Sequence, residues 1–248
     1  MFLSLIIWGG KMNKKGIYIL KIIFSLLFFF YFGEIVSSIL MIFGIKSNNI
    51  SILGQSIYQF VGALVLFGIL LFIYFKEVKK DFFDFKENIK NNIRNIIKMF
   101  IIFMLVKFGV SLLSTIIMLL LKIDINSLTS TNQNIIEDLV TTAPMLMTIT
   151  AGFIGPAYEE ILFRLGFKNV IDKKSLFIII SGLVFGLMHI FPLAEGVSLT
   201  IGLIQSISYV SMGFVLAYIY SKYDNIFITI GIHFLNNFLS VITMITMM

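Results

Sequence analysis

The chain has 248 residues, of which 58% are hydrophobic and only 13% are charged, and it carries a net charge of +6. Soluble domains usually have about 25% charged residues, so the composition excludes a soluble enzyme and predicts an all-α, polytopic bundle of membrane helices. The chain has no cysteine, which excludes a cysteine nucleophile, a thiolate metal site and disulfide bonds. We attribute the basic charge to membrane topology rather than to nucleic-acid binding.

About seven apolar stretches are long enough to cross a bilayer, because a membrane helix needs about 20 residues. In chain order they cover residues 17–43, 53–75, 97–121, 144–167, 175–192, 199–221 and 225–247. Residues 1–11 are too short to span. We expect them to form an interfacial tail, or to precede a natural start at Met12.

Residues 76–98, between the second and third stretches, have a different pattern. Apolar side chains, among them Phe82, Phe85, Ile89 and Ile93, recur there at helical spacing among lysines. This pattern predicts an amphipathic helix in the headgroup region, and a solvated linker is the alternative.

Basic residues are distributed unequally between the two predicted sides of the membrane. They cluster in the N-terminal flank, in residues 76–98 and 168–174, and at Lys222, whereas the opposite connections hold only Lys46 and Lys122. Because cytoplasmic loops are enriched in lysine and arginine, the distribution predicts a cell-membrane protein with a cytoplasmic N-terminus and an external C-terminus.

The fourth stretch contains AYEEILFRLGF, residues 157–167, which places three charges inside a membrane helix. A charge at the centre of a spanning helix costs roughly 2.5–3.5 kcal/mol. Glu160 and Arg164 are four residues apart and can form an ion pair on one helix face, which a structural role alone would explain. Glu159 points about 100° away and has no partner in the local sequence, which predicts a carboxylate available as a base. Pro156 predicts a kink nearby.

The two histidines of the chain both lie in apolar stretches. His189 follows Phe185 by four residues and shares a helix face with it, and His233 shares a face with Asn237 in the same way. Interhelical hydrogen bonding without any chemistry is the alternative for each histidine.

Taken together, four of these side chains are suited to hydrolysing a peptide bond. Glu159 can deprotonate a water molecule that His189 helps to position. His233 and Asn237 can stabilise the oxyanion that forms when this water attacks a carbonyl carbon.

Three other polar residues in the spans receive no catalytic role. Asn236 faces away from the His233 face and is expected to serve packing. Lys107 can extend towards the cytoplasmic interface, and Glu34 is expected to pair with it, to line the cavity or to be neutral.

Three motifs follow one another on successive spans: E-E-x-x-x-R at 159–164, F-x-x-x-H at 185–189 and H-x-x-x-N at 233–237. This order resembles the CPBP family of intramembrane proteases, which joins CAAX prenyl endopeptidases with bacterial bacteriocin-processing and self-immunity (Abi) proteins. The resemblance implies that residues 144–248 form a catalytic core of four helices around a cavity. Residues 1–143 would then supply N-terminal membrane helices.

The resemblance also implies the role of each residue. Glu159 would be the general base, His189 would help to position the water, and His233 with Asn237 would form the oxyanion site. Three further residues would support the site: Glu160, Arg164 and Phe185. We expect no obligatory metal; the alternative is Zn²⁺ held by Glu159, His189 and His233, because three nitrogen or oxygen ligands suffice for catalytic zinc.

The expected partners are the lipid bilayer and a membrane-associated peptide or protein as substrate, and no nucleic acid. CAAX-type processing and bacteriocin or pheromone processing both fit, and the sequence leaves the substrate and the oligomeric state open. The main alternative is a non-catalytic bacteriocin-immunity or binding protein that uses the same cavity. A small transporter is a further one, since intramembrane acids and histidines also form proton relays.

Overall fold

The computed structural model describes residues 13–42, 51–124, 131–190, 193 and 197–246. These residues form helices joined by short connections, with no strand among them, which confirms the predicted all-α fold. Residues 1–11 lie outside the described part. The helices are α1 (Lys14–Ile42), α2 (Ile52–Ile73), α3 (Phe75–Glu87), α4 (Ile89–Leu120), α5 (Thr131–Thr142), α6 (Pro144–Ile149), π1 (Thr150–Ile154), α7 (Gly155–Glu160), π2 (Ile161–Gly166), α8 (Lys174–Met188), α9 (Leu199–Tyr223) and α10 (Ile226–Thr246).

Five of the described helices, α1, α2, α4, α9 and α10, are long and apolar enough to cross a membrane, and α8 is a shorter apolar helix. The elements α6, π1, α7 and π2 follow one another without a break and form one helical rod over residues 144–166. Each predicted stretch therefore coincides with a helical segment, and the chain is a multi-pass membrane protein. Large apolar side chains such as Phe72, Phe108 and Leu120 are exposed, as expected of surfaces that face lipid.

The amphipathic helix predicted over residues 76–98 is corrected to two helices that separate at Asn88. The backbone of Asn88 has φ −117° and ψ 34°, outside the helical range, and asparagine side chains favour such interruptions. Residues 89–98 begin α4, because their apolar face continues directly into the membrane stretch. Asn92 donates a hydrogen bond to the Phe85 carbonyl at 3.0 Å, which joins α4 back to α3.

The rod over residues 144–166 changes helical type around Pro156. The Gly155 N–H donates to the Thr150 carbonyl, five residues back, as in a π-helix. The next bond of that pattern would run from residue 156 to the Ala151 carbonyl, but proline has no N–H. Pro156 therefore leaves the Ala151 carbonyl open to a partner outside the rod. Such π-helical turns occur frequently at functional sites.

Helices α8 and α9 approach to backbone contact. The G-x-x-x-G spacing of Gly182 and Gly186 predicts such an approach. A Cβ atom on Gly182 would lie 2.8 Å from the backbone nitrogen of Phe214, and one on Gly186 would overlap the backbone of Val210. The close contact fixes the position of Phe185, which α8 carries between these two glycines.

Four parts of the chain meet at one end of the bundle: the start of α1, helix α3, the connection 168–174 and the start of α10. Three polar contacts join them: Lys15 Nζ to Asp172 at 2.6 Å, Tyr18 hydroxyl to Glu77 at 2.7 Å, and the Ile226 N–H to the Asp81 carboxylate at 2.9 Å. These segments carry or adjoin the basic residues that predict the cytoplasmic side, and the structure groups them at one end of the bundle.

Candidate active site

Glu160, Arg164 and Ser181 form an enclosed polar network. The side chains of Glu160 and Arg164 are both 0% exposed, and Arg164 Nε donates to Glu160 Oε2 at 3.0 Å. Arg164 Nη1 donates to Ser181 Oγ at 2.8 Å, and the Ser181 hydroxyl donates to the Phe163 carbonyl at 2.6 Å. The Phe185 ring covers the guanidinium at 4.6 Å. The buried charges neutralise each other, as buried charges must.

His233 lies between the two adjacent glutamates. Its Nδ1 is 3.0 Å from Glu160 Oε1, and its Nε2 is 3.7 Å from Glu159 Oε2. Because Glu160 is ion-paired with Arg164, its carboxylate can only accept hydrogen bonds, so Nδ1 of His233 carries a proton. Nε2 therefore faces Glu159 as an acceptor in the neutral ring or as a donor in the imidazolium.

His189 is oriented by two contacts. Its Nδ1 donates to the Phe185 carbonyl at 2.8 Å, because a carbonyl can only accept. Its ring stacks on Tyr209 with centroids 4.7 Å apart and an interplanar angle of 12°. In the neutral ring Nε2 then has a lone pair, which can accept a hydrogen bond from water.

The position of His189 relative to His233 also follows from the structure. The predicted stretch 175–192 places His189 near the outer end of its span, on the order of 10 Å from the other site residues. Helix α8 ends at Met188, so His189 lies at its C-terminal cap. Both histidine rings contact Phe185, with centroids 4.8 Å away for His189 and 5.7 Å for His233. Both histidines therefore contact the same aromatic ring, and both line one cavity.

A second polar chain runs from α4 through α10 to π1. Lys107 Nζ donates to Asn236 Oδ1 at 2.7 Å, and Asn236 Nδ2 donates to Asn237 Oδ1 at 2.9 Å. Asn237 Nδ2 donates to the Ala151 carbonyl at 3.0 Å, the same carbonyl that Pro156 leaves open. Because an ammonium only donates and a carbonyl only accepts, both amides have a fixed orientation. Asn237 has a second N–H beyond this chain.

The expectations for Asn236 and Lys107 are corrected by this chain. Asn236 does not simply serve packing, and Lys107 turns into the bundle rather than towards the interface. Residue spacing along one helix cannot show which side chains of a neighbouring helix lie within hydrogen-bond distance. Here Lys107 and Asn236, on different helices, bond to each other.

A cavity of about 650 Å³ lies where the two polar networks meet. Its walls include four predicted catalytic residues and Lys107: Glu159, His189, His233, Asn237 and Lys107. Glu160 and Arg164 do not line it. The Glu159 side chain is 13% exposed, in contrast to 0% for Glu160. Ligand sites commonly have volumes of about 300–1,000 Å³, so the cavity can hold a short stretch of peptide.

A catalytic Zn²⁺ would require Glu159, His189 and His233 to converge on one point. Within the described ranges, no group of three or more His, Asp or Glu side chains is placed to hold a metal ion. His233 Nδ1 faces Glu160 and His189 Nδ1 is bonded to backbone, so each ring has only Nε2 left for a further contact. Catalytic zinc needs three converging protein ligands, so no step below uses a metal.

The family model described as "Type II CAAX prenyl endopeptidase Rce1-like" matches residues 141–239. This segment contains all seven residues that the sequence motifs single out. Both the motifs and this match support the resemblance to the CPBP family. A stretch of 111 residues is 31% identical to "Putative membrane peptidase YdiL" of Bacillus subtilis (strain 168). The stretch covers 44% of this chain and 41% of that relative, so the match spans less than half of either protein. No solved structure matches the chain.

Proposed function

We propose that this protein is an intramembrane endopeptidase, which hydrolyses a peptide bond of a membrane-associated peptide or protein with a water molecule activated by Glu159. One observation carries the proposal. The Glu159 carboxylate opens on a cavity beside two histidines, whereas its neighbour Glu160 is neutralised by Arg164 behind the cavity wall. The match of residues 141–239 to the Rce1-like endopeptidase model supports a peptidase activity.

The reaction begins when Glu159 takes a proton from water and the water oxygen attacks the scissile carbonyl carbon. His189 Nε2 accepts the second hydrogen of this water and thereby orients it. In this proposal His233 enters the reaction as an imidazolium, protonated on both ring nitrogens. The carbonyl oxygen becomes an oxyanion, which the second N–H of Asn237 and the Nε2 N–H of this imidazolium stabilise. Glu159 then returns its proton to the leaving nitrogen as the C–N bond breaks.

The enclosed network gives this reaction a fixed geometry. Glu160 holds Nδ1 of His233, Arg164 holds Glu160, and Ser181 holds Arg164. Each link orients the next, so Nε2 of His233 keeps its direction when substrate enters.

The substrate proposal is limited to its chemical class. The cavity lies among membrane-spanning helices, so a peptide at or within the bilayer is the substrate we propose, in CAAX-type or in bacteriocin and pheromone processing. The proposed reaction requires no metal, and prolonged dialysis against a chelator is expected to leave its rate unchanged. Loss of activity with recovery on adding Zn²⁺ would contradict this.

The first test compares peptide termini in the native host by mass spectrometry, in cells with wild-type protein, Glu159→Gln protein at matched expression, or neither. We expect termini that require the wild-type protein to disappear in the variant, with uncut precursors accumulating. If deletion has a phenotype that Glu159→Gln lacks, and the termini do not change, a binding or immunity role replaces the peptidase.

A further inference from the structure

A polar stripe on α4 faces the cavity from outside the segment that the family model matches. Lys107, Ser111 and Ser114 are spaced by four and three residues, so they share a helix face, and all three line the cavity. At 1.5 Å per residue the stripe is about 10 Å long, which corresponds to about three residues of extended peptide.

Lys107 has hydrogen-bonding capacity beyond its contact with Asn236. An ammonium has three N–H donors, and one of them donates to Asn236 Oδ1 at 2.7 Å. The ion pairs of the described residues do not include Lys107. It is also the one lysine or arginine among the described residues that line the cavity. A lysine midway along a membrane helix is costly, and an anionic ligand would offset that cost.

Ser114 provides an independent observation at the other end of the stripe. Ser114 is only 2% exposed, and its hydroxyl has no hydrogen-bond partner among the described residues. A buried hydroxyl without a partner costs free energy. A ligand that supplies a backbone N–H or carbonyl at this point would satisfy it.

We propose that this stripe is a substrate-binding strip, in which Lys107 binds a carboxylate of the peptide and Ser114 hydrogen-bonds to its backbone. The inference rests on the proposed function only in taking the ligand to be a peptide. The carboxylate can be the C-terminus or an acidic side chain, because both present the same group to the ammonium.

The test measures binding, so that it does not depend on cleavage. The probes are mixed-sequence apolar hexapeptides in three forms: a free C-terminal carboxylate, a C-terminal amide, and an amide with one internal glutamate. Each is equilibrated with immobilised Glu159→Gln and wild-type protein in nanodiscs. We expect one of the carboxylate forms to be retained about tenfold better than the plain amide, the ratio typical of a charged hydrogen bond.

Variants of the strip separate recognition from folding. Lys107→Met should abolish the preference for the carboxylate peptide, while the plain amide is still retained at the wild-type level. Lys107→Arg should restore the carboxylate preference. Lys98→Gln, which removes an exposed lysine from the same helix, should change nothing. Equal retention of all forms, no retention of any form, or a preference that survives Lys107→Met would overturn the proposal.

Ser114→Ala supplies a second, independent readout. Because the hydroxyl has no partner in the described protein, the variant should unfold at the same temperature or higher, yet retain every peptide form about fivefold less well. Reduced stability with unchanged peptide retention would assign Ser114 a structural role and contradict the strip. If Glu159→Gln protein still cleaves while the carboxylate preference holds, the proposed base fails and the strip stands.

Discussion

Glu159 and Glu160 are adjacent in the sequence, yet their surroundings differ. Glu160 is enclosed and bonded to Arg164 and His233, whereas Glu159 opens on the cavity and has Nε2 of His233 at 3.7 Å. Removing one partner of a buried ion pair leaves the other charge uncompensated, which typically costs about 3–5 kcal/mol. Glu159 is not enclosed in this way, because its side chain is 13% exposed and lines the cavity.

We therefore expect Glu160→Gln and Glu159→Gln to separate stability from chemistry. Glu160→Gln should lower the free energy of unfolding by about 3–5 kcal/mol, whereas Glu159→Gln should change it by less than about 1 kcal/mol. Thermal unfolding of the two purified variants in the same detergent measures the difference. Equal midpoints would show that Glu160 is not the buried partner that this structure makes it.

Several residue-scale features can be predicted from the sequence. The Glu160–Arg164 pair follows from their spacing, and the absence of a local partner for Glu159 follows from the direction of its side chain. The partner that Glu159 does have, His233, comes from another helix and has no local signal. Ser181 is missed for the same reason, because a serine in an apolar helix is ordinary until an arginine from another helix reaches it.

At the scale of elements, Pro156 determines a hydrogen bond rather than a simple kink. Its missing N–H leaves the Ala151 carbonyl for Asn237, which fixes the amide that we propose as an oxyanion donor. Sequence reasoning based on regular α-helices cannot foresee this, because the acceptor becomes available only where the rod changes to π-helical geometry.

Pro156→Ala should therefore reduce activity without harming the fold. The new N–H competes for the Ala151 carbonyl, so Asn237 loses its fixed orientation, while alanine is at least as favourable as proline inside a helix. We expect cleavage to fall about tenfold or more, as when an oxyanion donor is misplaced, with an unchanged unfolding temperature. Pro144→Ala, at the start of α6, is the matched control. Full activity in Pro156→Ala protein would contradict this role.

Helix α3 is joined to the helix that carries His233 through Asp81. The Asp81 carboxylate accepts the Ile226 N–H at 2.9 Å, at the start of α10. Burial raises the pKa of Asp81 from 3.8 to about 6, and the Ile226 hydrogen bond offsets only part of this effect. Between pH 3.8 and about pH 6, the folded protein therefore holds a proton on Asp81 that the unfolded chain has already released.

This shift predicts how stability depends on pH. Neutral Asp81 contributes to the stability of the folded protein. This contribution is fully present below pH 3.8 and is lost as the pH rises through about 6. We expect the unfolding temperature to decrease over that window, and Asp81→Asn to flatten the decrease. Glu87→Gln, at an exposed position at the end of the same helix, should leave the profile unchanged. A wild-type profile that rises over the same window would contradict the assignment.

For the whole molecule, the polar contacts group the N-terminal flank, α3, the connection 168–174 and the start of α10 at one end. The length of the chain's apolar stretches predicts seven helical segments among the described residues. The sequence does not predict helix α5, because residues 131–142 are not an apolar stretch. Which end faces the cytoplasm stays a prediction from the basic residues.

The cysteine-free chain allows this orientation to be tested directly. Single cysteines at the exposed positions Lys173 and Thr142 lie on opposite predicted sides of the membrane. In intact cells we expect an impermeant maleimide to label Thr142→Cys, and to label Lys173→Cys only after permeabilisation. The reverse pattern would place the N-terminus outside.

The most direct measurement of the central claim is the cleavage rate of purified Glu159→Gln protein in nanodiscs, with a peptide chosen from the host termini. General-base catalysis contributes about 10²–10⁴-fold, so we predict at least a hundredfold loss of rate with an unchanged unfolding temperature. A variant that unfolds like the wild type and cleaves within tenfold of its rate would show that Glu159 is not the base.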